Sequence, residues 1–288
     1  MSHPDYMIIG AMKCGTTSLA AQLGTQDGLF MTDPKEPYYF SDDPVFAQGP
    51  DWYAGLFADA APGDLTGEAT THYTKRPDYP DTIARIQAAG LAPKLIYMIR
   101  NPMVRIVSHY IHAWSEGWLR DPIETALESY PRLVEYGLYG WQIAPWIDAF
   151  GPEAVLLTSL ERQKLEPKAE LARIAAHIGL QGPVRLPEVE AQNVSSERVK
   201  KLPLHGLLVD HPVSAALRRA LVPKALRNRV RNARKITSRP QIPDAARPEL
   251  QARFAADRTR LESFFPGDPS LDLAYPFLNA AADESGID

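Results

Sequence analysis

A lysine held in a glycine-bounded turn is the residue best placed to do chemistry in this chain. Tyr6-Met7-Ile8-Ile9 is an apolar run. It breaks into Gly10-Ala11-Met12-Lys13-Cys14-Gly15-Thr16-Thr17-Ser18 and resumes as Leu19-Ala20-Ala21-Gln22-Leu23. A buried strand, a glycine loop and a helix opened by hydroxyl residues together make an anion site. Glycine lets the backbone approach a phosphate, the first N–H groups of the helix point at it, and the lysine adds a charge. The expected ligand-binding set is Lys13, Cys14, Gly15, Thr16, Thr17 and Ser18. The loop of ordinary triphosphate-binding proteins reads G-x-x-x-x-G-K-[ST]. Here Lys13 precedes Gly15, which points to a 5′-phosphate group of another kind. The alternative is a tight strand-to-helix turn that binds nothing.

Three further stretches carry reactive groups. Asp33-Pro34-Lys35-Glu36-Pro37-Tyr38-Tyr39-Phe40 sets a lysine–glutamate pair among aromatics and prolines. Low local dielectric would raise the Glu36 pKa and suit it to accepting a proton. Read from composition alone, the same stretch is a surface turn with a solvated ion pair. Lys94-Leu95-Ile96-Tyr97-Met98-Ile99-Arg100-Asn101-Pro102 is a strand running into a helix that starts at Pro102, with Arg105 and Ser108 inside it. Arg100 offers a bidentate clamp for a phosphate and Ser108 a hydroxyl donor. Arg105 is either a surface helix residue or a second ligand. Gly67-Glu68-Ala69-Thr70-Thr71-His72-Tyr73 brings in His72, a second candidate base or a loop histidine without a role. Tyr38, Tyr39, Trp52, Tyr53 and Tyr73 are candidates to line a site for a sugar or an apolar small molecule.

These residues need a scaffold. The spacing predicts strands at Tyr6–Ile9, Leu29–Met31, Leu65–Gly67, Lys94–Ile99 and Ala154–Thr158. Helices are predicted at Thr17–Leu23, Asp81–Ala89, Pro102–Gly117, Gly137–Phe150, Pro167–Ile178 and Pro248–Phe265. Apolar strands alternating with helices imply an α/β fold, a parallel sheet with helices on both faces. Ligands then sit at the carboxyl ends of the strands, where Gly10–Thr17, Glu68–Tyr73 and Arg100 all emerge. With 288 residues, one domain is expected: an α/β core over 1–186 and a mostly helical extension over 187–288. Within that extension His211–Pro243 contains no acidic residue but nine lysines and arginines, among them Arg227, Arg229 and Arg231. Leu217, Leu221, Leu226 and Val230 recur there at helical spacing. This basic stretch is either a solvated helical face or a flap that attracts an anionic acceptor or a membrane surface.

Composition narrows the class. The formal net charge is −4, so no global field draws nucleic acid. Cys14 is the single cysteine. An internal disulfide is therefore impossible, and a reducing, cytoplasmic setting is expected. No basic segment precedes a long apolar run at the start, so a signal peptide is not expected. No C-x-x-C or H-E-x-x-H spacing occurs, and no metal is expected.

The altered loop resembles the 5′-phosphosulfate-binding loop of sulfotransferases that use 3′-phosphoadenosine-5′-phosphosulfate (PAPS). Lys35-Glu36 is similar to the K-E-x-x-F-F stretch of the heparan sulfate N- and 3-O-sulfotransferases. The Arg100 and Ser108 pair resembles their 3′-phosphate site. The resemblance implies a P-loop-like three-layer fold with PAPS as sulfuryl donor. It also implies Lys13 at the leaving phosphate oxygen, Lys35 beside it, and Glu36 as the base. The acceptor would be a hydroxyl or amine of a carbohydrate or small molecule. His72 is the runner-up base, by likeness to the histidine of the cytosolic enzymes. Ser196 and Arg198 fall where the family closes a loop over the 3′-phosphate and adenine. Ala69 stands where the family has a lysine, a departure that argues against a heparan-like acceptor. Two other classes stay open: a nucleotide kinase or NTPase, and a non-catalytic nucleotide-binding module.

Overall fold

Each of the five apolar runs forms a strand. In the computed structural model, which describes residues 4–186 and 238–278, these are β1 (Tyr6–Gly10), β2 (Leu29–Met31), β3 (Leu65–Ala69), β4 (Lys94–Ile99) and β5 (Val155–Ser159). They form one sheet in the order β2-β3-β1-β4-β5, and every pairing is parallel. The strands are buried almost without interruption, with Lys94 the exposed exception. A side chain is covered whichever way it points, so helices must lie on both faces. Each fully buried Ile, Leu or Met contributes about 1.5–3 kcal/mol.

The connections follow the helical periodicity of the sequence. Helix α1 (Thr16–Leu23) joins β1 to β2. Two short helices, α2 (Asp43–Phe46) and α3 (Pro50–Gly55), precede β3, and α4 (Thr82–Ala88) precedes β4. Between β4 and β5 run α5 (Pro102–Glu116), α6 (Ile123–Ser129), α7 (Arg132–Glu135) and α8 (Tyr139–Phe150). Helices α9 (Leu160–Leu165) and α10 (Pro167–Ile178) follow β5. After the undescribed stretch come α11 (Arg247–Phe264) and α12 (Pro269–Ala274). Every helix expected from spacing is present within a residue or two of its bounds. The short α2, α3, α6, α7, α9 and α12 were too brief to register as periodic.

The strand order fixes where the site lies. The connection from β1 runs toward the β2 edge, whereas those from β3 and β4 run the other way. Right-handed crossovers then place α1 on the opposite face from α4 and α5. The reversal occurs at β1, which makes its carboxyl end the crevice of the fold. Among the described residues no helix is long and apolar enough to cross a membrane.

Candidate active site

The loop after β1 is pinned on both sides. Ala11 N–H donates to the Met98 carbonyl at 2.7 Å, and Thr74 Oγ1 donates to the Ile9 carbonyl at 2.8 Å. A Cβ on Gly10 would lie 1.9 Å from that Thr74 hydroxyl oxygen, so only glycine fits. Gly15, at φ 99°, is the N-cap of α1 and supplies no side chain to cap it. The first bonds of the helix run from Ser18 and Leu19 N–H to the Gly15 carbonyl, at 3.0 and 3.2 Å. The N–H groups of Thr16 and Thr17 come before them, at the positive end of the helix dipole.

Cys14 is turned inward. Its N–H donates to the Ala11 carbonyl at 3.3 Å, and its thiol lies 3.4 Å from the Tyr139 hydroxyl. Burial pushes the thiol pKa up to about 11. Cys14 therefore anchors the loop, and its expected part in binding a ligand passes to Gly15, Thr16 and Thr17. Tyr139 completes the brace by donating to the Arg100 carbonyl at 2.7 Å.

Arg100 leaves the end of β4 and reaches back to the loop, where Nη1 donates to the Lys13 carbonyl at 3.4 Å. The strand-to-helix joint beside it is built by Asn101. Its side-chain oxygen accepts from Met103 and Val104 N–H at 3.0 and 3.4 Å, while its own N–H donates to Glu161 at 3.0 Å. Ser108 is buried in α5. Arg105 is neither a surface residue nor an open ligand, because it is fully buried. Its guanidinium donates to the Leu133 carbonyl and lies 3.5 Å from His109, and its Nε has no partner among the described residues. Nothing in the sequence marked that burial beyond the apolar neighbours of Arg105 on α5.

Glu36 sits across the crevice, after β2. Its N–H donates to the Ala69 carbonyl at 3.0 Å, which ties the turn to the end of β3. Lys35 Nζ donates to one carboxylate oxygen at 3.0 Å and Thr71 Oγ1 to the other at 3.0 Å. The expected rise in its pKa does not occur. Burial does push the carboxyl up, but Lys35, Lys75 and the Thr71 hydroxyl outweigh it and hold Glu36 below the usual carboxylate range. The carboxyl that burial does raise is Glu68. It is fully buried and accepts from Tyr53, Tyr73 and Thr70 hydroxyls at 2.6, 2.8 and 2.7 Å. Glu68 is thus a strut beneath the site.

Among the described residues three non-glycines have positive φ: Lys13 at 68°, Glu36 at 62° and Tyr38 at 60°. Each costs roughly 1–3 kcal/mol and persists only where the surroundings force it, as functional sites do. Two of the three are the residues that sequence reading singled out for chemistry.

His72 is clasped between the Tyr38 and Tyr79 rings, at centroid distances of 4.2 and 4.3 Å, with Nδ1 3.2 Å from Asp42. Burial and then Lys75 lower its pKa to about 4, against the pull of Asp42. Tyr39, Tyr53 and Tyr73, expected as possible acceptor-lining residues, are buried in the core instead. Tyr38, His72 and Tyr79 form the aromatic wall in their place. Sequence reading missed Tyr79 and Lys75, which lie on an irregular stretch with no motif. Ser196, Arg198 and residues 211–237 of the basic stretch lie outside the described residues. Among the described residues no cluster of three His, Cys, Asp or Glu is positioned to hold a metal ion.

The profile of the sulfotransferase domain matches residues 3–224. The chain belongs to the sulfotransferase family. Heparan sulfate glucosamine 3-O-sulfotransferase 3B1 of Mus musculus is 28% identical over 186 residues, which cover 62% of this chain and 46% of that protein. The membrane-associated sulfotransferase kil1 of Dictyostelium discoideum is 33% identical over 132 residues, 43% of this chain and 26% of that protein. This sulfotransferase therefore spans about half, or less, of the length of the curated relatives it matches. Among solved structures, a sulfotransferase from Alicyclobacillus acidocaldarius superimposes with a TM-score of 0.66 at 22% identity, covering 94% of this chain and 98% of that one. The sulfotransferase domain of the curacin biosynthetic pathway gives 0.54 at 14% identity, with 91% and 98% covered. These likenesses establish the P-loop-like fold.

Proposed function

We propose that this sulfotransferase moves a sulfuryl group from PAPS to a hydroxyl or amine, with Glu36 as the base. The observation that carries the reading is the division of charge across the crevice. On the β1–β4 side Arg100 reaches the Lys13 loop and forms no ion pair among the described residues. On the β2–β3 side Glu36 stays ionised. A donor set of one lysine, one unpaired arginine, threonine hydroxyls and helix N–H groups matches an anion with two phosphates.

In this reading Thr16, Thr17 and the N–H groups at the start of α1 hold the 5′-phosphate. Arg100 and Ser108 hold the 3′-phosphate. PAPS supplies an activated sulfuryl group whose S–O bond to the 5′-phosphate breaks as the bond from sulfur to the acceptor oxygen or nitrogen forms. Lys13 neutralises the charge that arrives on the leaving oxygen. Glu36 takes the acceptor's proton, and Lys35 and Thr71 hold its carboxylate in place. A base with a lowered pKa is ready at neutral pH and takes its proton as the acceptor atom acquires positive charge. The acceptor is a carbohydrate or a small molecule that rests against Tyr38, His72 and Tyr79. Heparan sulfate is the acceptor named for the mouse relative. The buried methyl of Ala69 offers no cation for such a polyanion.

Calorimetric titration with 3′,5′-adenosine bisphosphate, AMP and ATP–magnesium tests the donor. The bisphosphate should bind at least tenfold more tightly than AMP. Preference for ATP–magnesium would favour a kinase or NTPase instead.

A further inference from the structure

Lys75 closes the 3-10 turn Thr71–Thr74 that follows β3. It is 8% exposed. Among the described residues its ammonium makes no hydrogen bond or ion pair; its contact is the face of the Tyr136 ring, 5.9 Å from the centroid. A buried ammonium left this way is strongly disfavoured unless something else comes to it.

The nearby acids do not meet that need. Glu36, Asp42 and Asp78 attract Lys75 at longer range, and Lys35 repels it. Each of the three is already engaged. Glu36 holds Lys35 and Thr71, Asp42 holds His72, and Asp78 holds Arg132 and the Tyr136 hydroxyl. On the other side Lys75 shares its surroundings with Lys13, since both act on buried His109, as does Arg105. Lys75 thus lies in the field of both the base and the phosphate-loop lysine, with a charge that nothing described neutralises. Burial lowers its pKa to about 8, so at neutral pH it is still mostly an ammonium.

We propose that Lys75 is a catalytic residue whose ammonium binds the oxygens of the transferring sulfuryl group, between the leaving oxygen at Lys13 and the acceptor atom at Glu36. This rests on the PAPS reading above. The bond to the 5′-phosphate breaks with its electron pair going to the leaving oxygen. The new bond to sulfur uses the acceptor's lone pair, and the acceptor's proton goes to Glu36. Lys75 keeps its own protons and holds the sulfuryl oxygens as both bonds change. It also excludes the Lys35–Glu36 pair from neutralising the group being transferred, since that pair is closed on itself.

The test compares two ligands that differ only in the sulfuryl group. Full-length protein and the K75M, K75Q and K75R variants are titrated with PAPS and with 3′,5′-adenosine bisphosphate. K75M should weaken PAPS by about 10- to 100-fold, with the bisphosphate changed less than threefold. K75R should regain most of the PAPS affinity. Should K75M fail to fold, K75Q and K75R carry the same comparison. Equal loss of both ligands, or loss of neither, overturns the role of Lys75 while leaving the donor reading intact. Unchanged PAPS binding with a raised KM confined to sulfated or carboxylated acceptors assigns Lys75 to an acceptor anion and also overturns it. Wild-type protein that binds neither ligand overturns the donor reading and this role together.

Discussion

Replacing Glu36 by Gln should move turnover and donor binding in opposite directions. The substitution keeps the size of the side chain and leaves an oxygen that can accept from Lys35 or from Thr71, though not from both. The Lys35–Glu36 pair has side chains about one-fifth exposed, 22% each. Pairs of that kind contribute roughly 0–1 kcal/mol, so the fold should survive. Loss of a general base lowers kcat by about 10²–10⁴. Meanwhile a negative charge disappears from beside an anionic donor, and Lys35 and Lys75 lose the carboxylate that offsets them. If donor and carboxylate lie within a Debye length, about 10 Å at 0.1 M salt, donor affinity rises a few-fold at low salt and less at 1 M. Steady-state kinetics give kcat, and calorimetry with 3′,5′-adenosine bisphosphate gives the affinity. A kcat within threefold of wild type would refute Glu36 as the base. A His72→Ala variant that is inactive while Glu36→Gln remains active would move the role to the His72–Asp42 pair.

Three further outcomes follow from the same geometry. Gly15→Ala puts a Cβ 2.9 Å from Leu160 and 3.0 Å from Met98 at φ 99°; it should cost about 1–3 kcal/mol and lower Tm by roughly 2–10 °C, read by thermal denaturation. The alkaline limb of kcat/KM for the donor should fall near pH 8, as Lys75 loses its proton under the pull of Glu36, Asp42 and Asp78 and the push of Lys35, beside Tyr136, His72 and His109. A bound sulfuryl group holds that proton on, so the limb of kcat should lie higher, and K75R should remove it; the acid limb due to Glu36 should lie below pH 4.5. Reversing Arg227, Arg229 and Arg231 to Glu should raise the KM of an anionic acceptor or weaken liposome binding at low salt, and unchanged values in a folded protein would make the basic stretch a solvated surface.

The fold and the phosphate loop were legible because each depends on local pattern. Tyr6–Ile9 and Lys94–Ile99 are apolar runs bounded by turn residues, and such runs form strands wherever both faces are covered. Gly10 and Gly15 mark backbone that no other residue can follow. The ionisation of Glu36 was not legible, because two of the groups that set it, Thr71 and Lys75, come from the turn after β3 and arrive only when β2 and β3 pair. Composition suggested burial by aromatics, and burial alone would have raised the pKa. For the same reason Tyr53 and Tyr73 read as acceptor-lining residues, whereas both donate to buried Glu68. Arg105 was ambiguous because a charged residue on a helix is ordinarily at the surface; here the Leu133 carbonyl and His109 meet it inside.

The most direct measurement of the central claim is transfer of labelled sulfate from PAPS to a panel of acceptors. The panel includes desulfated heparan fragments, simple sugars, phenols and sterols, run with wild-type protein and with Lys13→Ala. The account predicts label in at least one acceptor, release of an equal amount of 3′,5′-adenosine bisphosphate, and a kcat lowered by about 10²-fold or more in the Lys13 variant, which loses the charge at the leaving oxygen. Tight binding of the bisphosphate with no label in any acceptor would contradict the account and favour a non-catalytic nucleotide-binding module. Label transferred equally well by Lys13→Ala would contradict the assignment of the leaving oxygen to that lysine.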